Sequence, residues 1–194
     1  MWLDVFLNFD FSVLDFIAES IRNSVLDPIM WAISKFASMG ICWFVLSIVL
    51  IIPRKTRLAG VISLISVTLA LAVGEAAIKP FICRVRPYDM YESFHGAAMP
   101  FTLNAGTESS YSFPSGHTSA SFASAISLFK INKTVGFLTL IFACLVGFSR
   151  LYNYVHFPTD VFAGMILGIL SAVLVILIFR ATKLDNKLKP REAR

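Results

Sequence analysis

Charge is scarce in this chain: 15% of its 194 residues are Asp, Glu, Lys or Arg, against roughly a quarter in soluble domains. With 57% hydrophobic residues and a mean hydropathy of +0.74, the deficit excludes an ordinary water-soluble domain and points to a membrane protein. Cysteine is also rare. Cys42, Cys83 and Cys144 are odd in number and spaced for neither a zinc site nor a disulfide framework, so they read as free thiols. No basic n-region precedes an apolar core at the N-terminus, where Asp4, Asp10, Asp15 and Glu19 intervene, so no cleavable signal peptide is expected. No linker rich in Gly, Ser or Pro and no internal repeat divides the chain. One membrane-embedded domain over 1–182 is therefore expected, with a basic tail over 183–194.

What is abundant is apolar sequence in helix-sized blocks. A spanning helix needs about 20 predominantly apolar residues, and five segments approach that length: 28–52, 58–78, 114–129, 135–148 and 158–179. The expected fold is an all-α polytopic transmembrane bundle with a core over 28–180. The third segment is rich in Ser and Ala, which suits close packing against other helices rather than contact with lipid. Residues 1–26 read as an amphipathic helix at the membrane interface, with a sixth, imperfect span as the alternative. Ser12 and Asp15 resemble a capping box there, and Val13, Leu14, Phe16, Ile17 and Ile21 form an apolar stripe.

Basic residues orient the bundle. Arg54, Lys55, Arg57, Lys130, Lys133 and the tail carry 11 of the 17 Lys and Arg, and alternation of the spans puts them all on one face, expected to be cytoplasmic. They are not interleaved with exposed aromatics, so the net charge of +5 gives no reason to expect nucleic acid. The same alternation brings Lys79, Arg86, His117, Arg150 and His156 to the opposite face. Cations and histidines with a carboxylate, and no Cys/His ligand set, suit a phosphate group better than a metal. In YSFPSGHTSASF (111–122), Pro114 suits a first helical turn, Gly116 lets backbone approach a ligand, and the helix start offers backbone N–H groups to an anion.

Three blocks sharpen this reading. KPFICRVRP (79–87) fits K-x6-RP, PSGH (114–117) is the second, and SRLYNYVHFPTD (149–160) fits SR-x5-H-x3-D. Together they resemble the signatures of the type 2 phosphatidic acid phosphatase superfamily, and the helix layout is similar to its small bacterial members, undecaprenyl-diphosphatases and phosphatidylglycerophosphatase B-like enzymes. The usual member has six spans; this chain lacks most of the first. The resemblance implies that His156 is a nucleophile forming a phosphohistidine and that Asp160 holds its other ring nitrogen. Lys79, Arg86, Arg150, Ser115 and the Gly116 N–H would bind the phosphoryl oxygens, and His117 would protonate the leaving oxygen and then activate water. It implies no metal and no cofactor.

The expected activity is thus hydrolysis of a terminal phosphate from a lipid phosphate or diphosphate, at an extracytoplasmic site in a bacterial membrane. Undecaprenyl diphosphate is the first substrate considered, phosphatidylglycerol phosphate or phosphatidic acid the second. A noncatalytic lipid-binding or transport protein would explain the spans and outer cations, but not His156 and Asp160 at nucleophile spacing beside PSGH. Several residues keep plainer readings. Asp160 is an early-helix acid in any case. Glu75 can set the position of Lys79 or merely pair with it. Arg84 reads as a headgroup contact or a solvated charge, His95 as a loop residue, and Gly164 and Gly168 as packing positions within the bundle rather than a dimer face.

Overall fold

A computed structural model describes residues 5–101 and 110–188. The chain starts with α1 (Leu7–Phe16), continued by a π-helical turn Ile17–Ile21, then α2 (Leu26–Phe36) and α3 (Ile41–Ile51). Next, α4 (Arg57–Leu71) passes through a π-helical stretch, Ala72–Ile78, into α5 (Lys79–Ile82), and α6 (Pro87–His95) crosses the end of the bundle. The last four helices are α7 (Gly116–Leu128), α8 (Lys133–Tyr152), α9 (Pro158–Ala181) and α10 (Leu184–Leu188). No strand occurs among the described residues.

Local sequence explains most boundaries. Ser115 caps α7 and Asn132 caps α8 through side-chain oxygens that accept from Thr118 N and Val135 N at 3.4 and 2.8 Å. Pro87 and Pro158 open α6 and α9, where a missing N–H costs nothing. Two expectations are corrected. The first expected span is two helices meeting at 55°, because Gly40 at φ 72° takes a left-handed turn between them. Ser12 is no cap either; α1 begins earlier, and the Ser12 hydroxyl donates to Asn8 O at 2.6 Å inside the helix.

By length and composition three helical segments can cross a membrane, or four if α2 and α3 together make one span. The chain is a multi-pass membrane protein. The expected third segment forms α7, which at 13 residues is only about 20 Å long. It can be short because it lies inside the bundle: ten of its residues are buried by its neighbours, most of them Ser or Ala. Such residues let helix backbones approach and exchange hydrogen bonds in a medium without water. Ser63 Oγ pairs with Ser124 Oγ at 3.0 Å and accepts from Ser47 at 2.8 Å, while Trp43 Nε1 donates to Ser121 Oγ at 2.9 Å. On the other side α9 lies against α7 through Gly164 and Gly168, so this pair packs within the bundle.

The start of α4 and the end of α9 share a cluster of Leu58, Ile62, Val175 and Phe179 with Leu188 of α10. The tail thus opens as a short helix folded onto the bundle rather than as solvated chain; Lys189, Arg191 and Arg194 lie outside the described residues. This is the end rich in basic residues. At the other end α1 covers the α8–α9 connection, with Phe11, Leu14 and Ile17 buried and Val5, Phe6, Phe9 and Phe16 exposed. Phe16 therefore belongs to the outer face of α1, not to its buried stripe.

A Cβ at position 168 would sit 2.3 Å from Ser119 O and 2.9 Å from Ala123 N, both backbone atoms. Gly168→Ala should push α9 off α7 and destabilise the protein by about 1–3 kcal/mol, read as a lower midpoint of thermal unfolding in detergent. An unchanged midpoint would refute this packing.

Candidate active site

The α8–α9 connection is built to hold one histidine still. After α8 the chain turns through Tyr154 at φ 59°. Val155 N donates back to Arg150 O at 3.2 Å, and Asn153 Nδ2 donates to Ser149 O at 2.8 Å and Met30 O at 3.2 Å. Tyr154 O–H donates to Asp15 of α1 at 2.7 Å; burial, with that carboxylate beside it, pushes the phenol well above its usual range, so it remains a donor. His156 emerges 1% exposed. Arg86, at the start of α6, reaches across to donate to Val155 O at 2.8 Å and approaches His156 Nε2 at 3.3 Å.

That approach suits one tautomer of the neutral ring. A guanidinium has only donors, so Nε2 must present its lone pair to Arg86. The proton of neutral His156 then sits on Nδ1, which faces Asp160 Oδ2 at 3.5 Å. Asp160 is the early-helix acid the sequence suggested, and it also lies beside the imidazole. Its Oδ2 accepts from Phe157 N at 2.9 Å, capping the first turn of α9, and the same carboxylate faces the imidazole.

The structure places the other expected residues as follows. Arg86 also donates to Ser110 O at 2.7 Å and to Ser110 Oγ at 3.1 Å, and Lys79 Nζ reaches the same hydroxyl at 3.4 Å. Lys79 pairs with Glu75 at 2.8 Å within one helix face. Ser115 N donates to Asp160 O at 3.0 Å, joining the N-terminus of α7 to that of α9. Gly116 follows at the first position of α7, where a Cβ would meet Glu75 Oε1 at 2.5 Å, and His117 is in the same turn. Arg150, buried in the last turn of α8, donates to Ser34 Oγ of α2. No group of three or more His, Cys, Asp or Glu among the described residues is arranged to hold a metal.

Three residues differ from what the sequence suggested. Arg84 is neither solvated nor on a headgroup surface: it is 2% exposed, donates to Asp160 Oδ1 and Asp10 Oδ2, both at 2.6 Å, and stacks over Phe157 at 4.0 Å. Asp10, in α1, is completely buried. Its spacing among apolar residues carried no motif, and only an acid on the buried stripe of α1 hinted at a partner. His95 is likewise no loop residue. As the last residue of α6 it meets Asp15 at 2.9 Å and stacks on Tyr91 at 4.1 Å, fastening α6 to α1.

With this geometry in place, similarity to known proteins becomes informative. The model of the PAP2 superfamily matches residues 59–183. An undecaprenyl-diphosphatase of Sulfolobus acidocaldarius is 32% identical over 146 residues, which is 75% of this chain and 66% of that protein. The crystal structure of LpxE from Aquifex aeolicus superposes with a TM-score of 0.73 at 26% identity, covering 87% of this chain and 94% of the other. A transmembrane PAP2-type phosphatidylglycerolphosphate phosphatase from Bacillus subtilis superposes with a TM-score of 0.66 at 28% identity, covering 97% and 92%.

The tautomer can be observed directly. In protein labelled with 15N-histidine and held in detergent at alkaline pH, neutral His156 should show a protonated Nδ1 and a bare Nε2, identified by loss of the signal in His156→Ala. The reverse pattern would overturn the assignment of donor and acceptor.

Proposed function

The chain belongs to the PAP2 superfamily, and from that premise we propose that it is a lipid phosphatase acting through a phosphohistidine. The observation that carries this reading is the buried imidazole of His156, with Nε2 3.3 Å from an Arg86 nitrogen and Nδ1 3.5 Å from Asp160 Oδ2, at one end of a membrane bundle. Nε2 attacks phosphorus, the bond from phosphorus to the bridging oxygen breaks, and His117 gives that oxygen a proton, releasing the dephosphorylated lipid or lipid monophosphate. His117 then takes a proton from water as the water oxygen attacks the phosphohistidine. Inorganic phosphate leaves and His156 is restored with its Nδ1 proton still held by Asp160.

Charge on the transferring group is spread over its outer oxygens, so fixed donors do most of the work. Lys79, Arg86 and Arg150 supply cations, and Ser115 and the Gly116 N–H add donors at the helix start. Burial strengthens all of these interactions, since a low dielectric screens them little. The scheme calls on no metal or cofactor.

For the substrate, similarity to the Sulfolobus acidocaldarius undecaprenyl-diphosphatase favours undecaprenyl diphosphate, converted to the monophosphate. Similarity to the Bacillus subtilis phosphatidylglycerolphosphate phosphatase supports a glycerolipid phosphate, such as phosphatidylglycerol phosphate or phosphatidic acid, as the second reading. The basic loops at the opposite end support a site on the extracytoplasmic face of a bacterial cell membrane.

Phosphate release by purified protein in detergent with chelator should be detectable with at least one of these three lipids, and His156→Ala should lower it by at least about a thousandfold. Retention of more than half the activity would sink the mechanism; preference for a glycerolipid would replace the first substrate by the second. For orientation, in a variant lacking the native cysteines, Ser93→Cys on α6 should react with an impermeant maleimide in intact cells. Lys55→Cys should react only after lysis, and the reverse order would invert the topology.

A further inference from the structure

The buried ion pairs beyond His156 involve a part of the chain that lies outside the family match, which begins at residue 59. Asp10 of α1 is fully buried and each of its oxygens is used. Oδ1 accepts from Thr159 N at 3.0 Å, and Oδ2 accepts from Thr159 Oγ1 at 2.7 Å and from Arg84 at 2.6 Å. Arg84 turns its other nitrogen to Asp160 Oδ1 at 2.6 Å and to Thr159 Oγ1 at 2.7 Å. Nothing in the K-x6-RP pattern requires an arginine at 84, since that position is free in it.

We propose that Asp10 is a positioning residue for catalysis: by taking a share of Arg84 it leaves the Asp160 carboxylate more of its negative charge to hold and align His156, making the N-terminal helix part of the active site. This rests on the reading of His156 as the nucleophile. One guanidinium stands between two carboxylates, so the group as a whole is an anion next to an imidazole that gains positive charge as it attacks. Without Asp10, the charge of Arg84 would be spent on Asp160 alone, and Asp160 would hold the Nδ1 proton less strongly. The cost would fall on the chemical step, because Asp10 touches neither phosphate nor lipid.

Two other charged groups face the histidine, Arg86 from the start of α6 and Asp160 from α9; Lys79 is bound to the same Ser110 as Arg86, and Arg150 donates to Ser34. The test therefore varies only Asp10 and Arg84 and holds these constant. The cluster carries one net negative charge in wild type, none in Asp10→Asn, two in Arg84→Met, and one again in the double variant.

The experiment is steady-state kinetics across pH on full-length protein in detergent, using whichever lipid phosphate the wild type hydrolyses. Asp10→Asn should lower kcat by roughly tenfold or more with KM nearly unchanged. The acidic limb of kcat, where His156 must lose its proton to attack, should move to lower pH, because less negative charge remains to hold that proton. Arg84→Met should move the limb to higher pH, and the double variant should bring it back near wild type.

If Asp10→Asn does not fold, Arg84→Met and the double variant still test the charge argument, and the double variant leaves no unpaired arginine. A merely structural role would lower the amount of active enzyme without moving the limb. Unshifted limbs, or limbs shifted the same way in both single variants, would overturn the proposal while inactive His156→Ala left the phosphatase reading intact. Full activity in His156→Ala would overturn both.

Discussion

A guanidinium without water must have its charge matched on the spot, and the site end of this molecule is arranged around that requirement at Arg84. Its partners come from three places in the chain: Asp10 from α1, Thr159 and Asp160 from the first turn of α9, and the ring of Phe157 beneath it. Removing one partner of such a buried pair typically costs about 3–5 kcal/mol, because the other charge is left unpaired. The same contact that seats α1 on the bundle thus also fixes Asp160, and through it the ring of His156. Stability of the cover and placement of the His156 ring are one problem with one solution.

A second constraint comes from α7, the helix that lies inside the bundle. A helix at the centre of a bundle must let its neighbours approach closely, and Ser and Ala do this while the serine hydroxyls bond across to α3, α4 and Trp43. Close approach of α9, allowed by the missing Cβ atoms at Gly164 and Gly168, brings the N-termini of α7 and α9 together. The start of α9 is capped by Asp160 and Asp10, and the positive dipole ends of both helices lie close together. The π-helical stretch before Lys79 widens α4 beside this point and places the Glu75 carboxylate against Gly116.

Much of this was legible in the linear chain, for identifiable reasons. Helix-length apolar runs, caps at Ser115 and Asn132 and prolines at 87 and 158 act locally, so α4, α7, α8 and α9 could be placed closely. Where tertiary packing overrides local pattern the reading failed. Residues 28–52 look like one straight span because nothing apolar marks the left-handed turn at Gly40. Ser12 looks like a cap because hydroxyl and acid recur at cap spacing, yet Asp15 is spent on Tyr154 and His95 instead. Arg84 looked dispensable because a motif records which residues recur, not which charges must be neutralised.

The sequence by itself determined that this is a helical membrane protein whose Lys79, Arg86, Ser115, His117, Arg150, His156 and Asp160 belong to three blocks. Periodicity, alternation of spans and motif spacing are all properties of neighbours in the chain. Only the tertiary structure decided which charged groups face each nitrogen of His156, how α1 joins that end of the bundle and what neutralises Asp160. Those depend on Arg86, Asp10 and Arg84 arriving from remote positions, and a charge acts through distances in space that spacing along the chain does not encode.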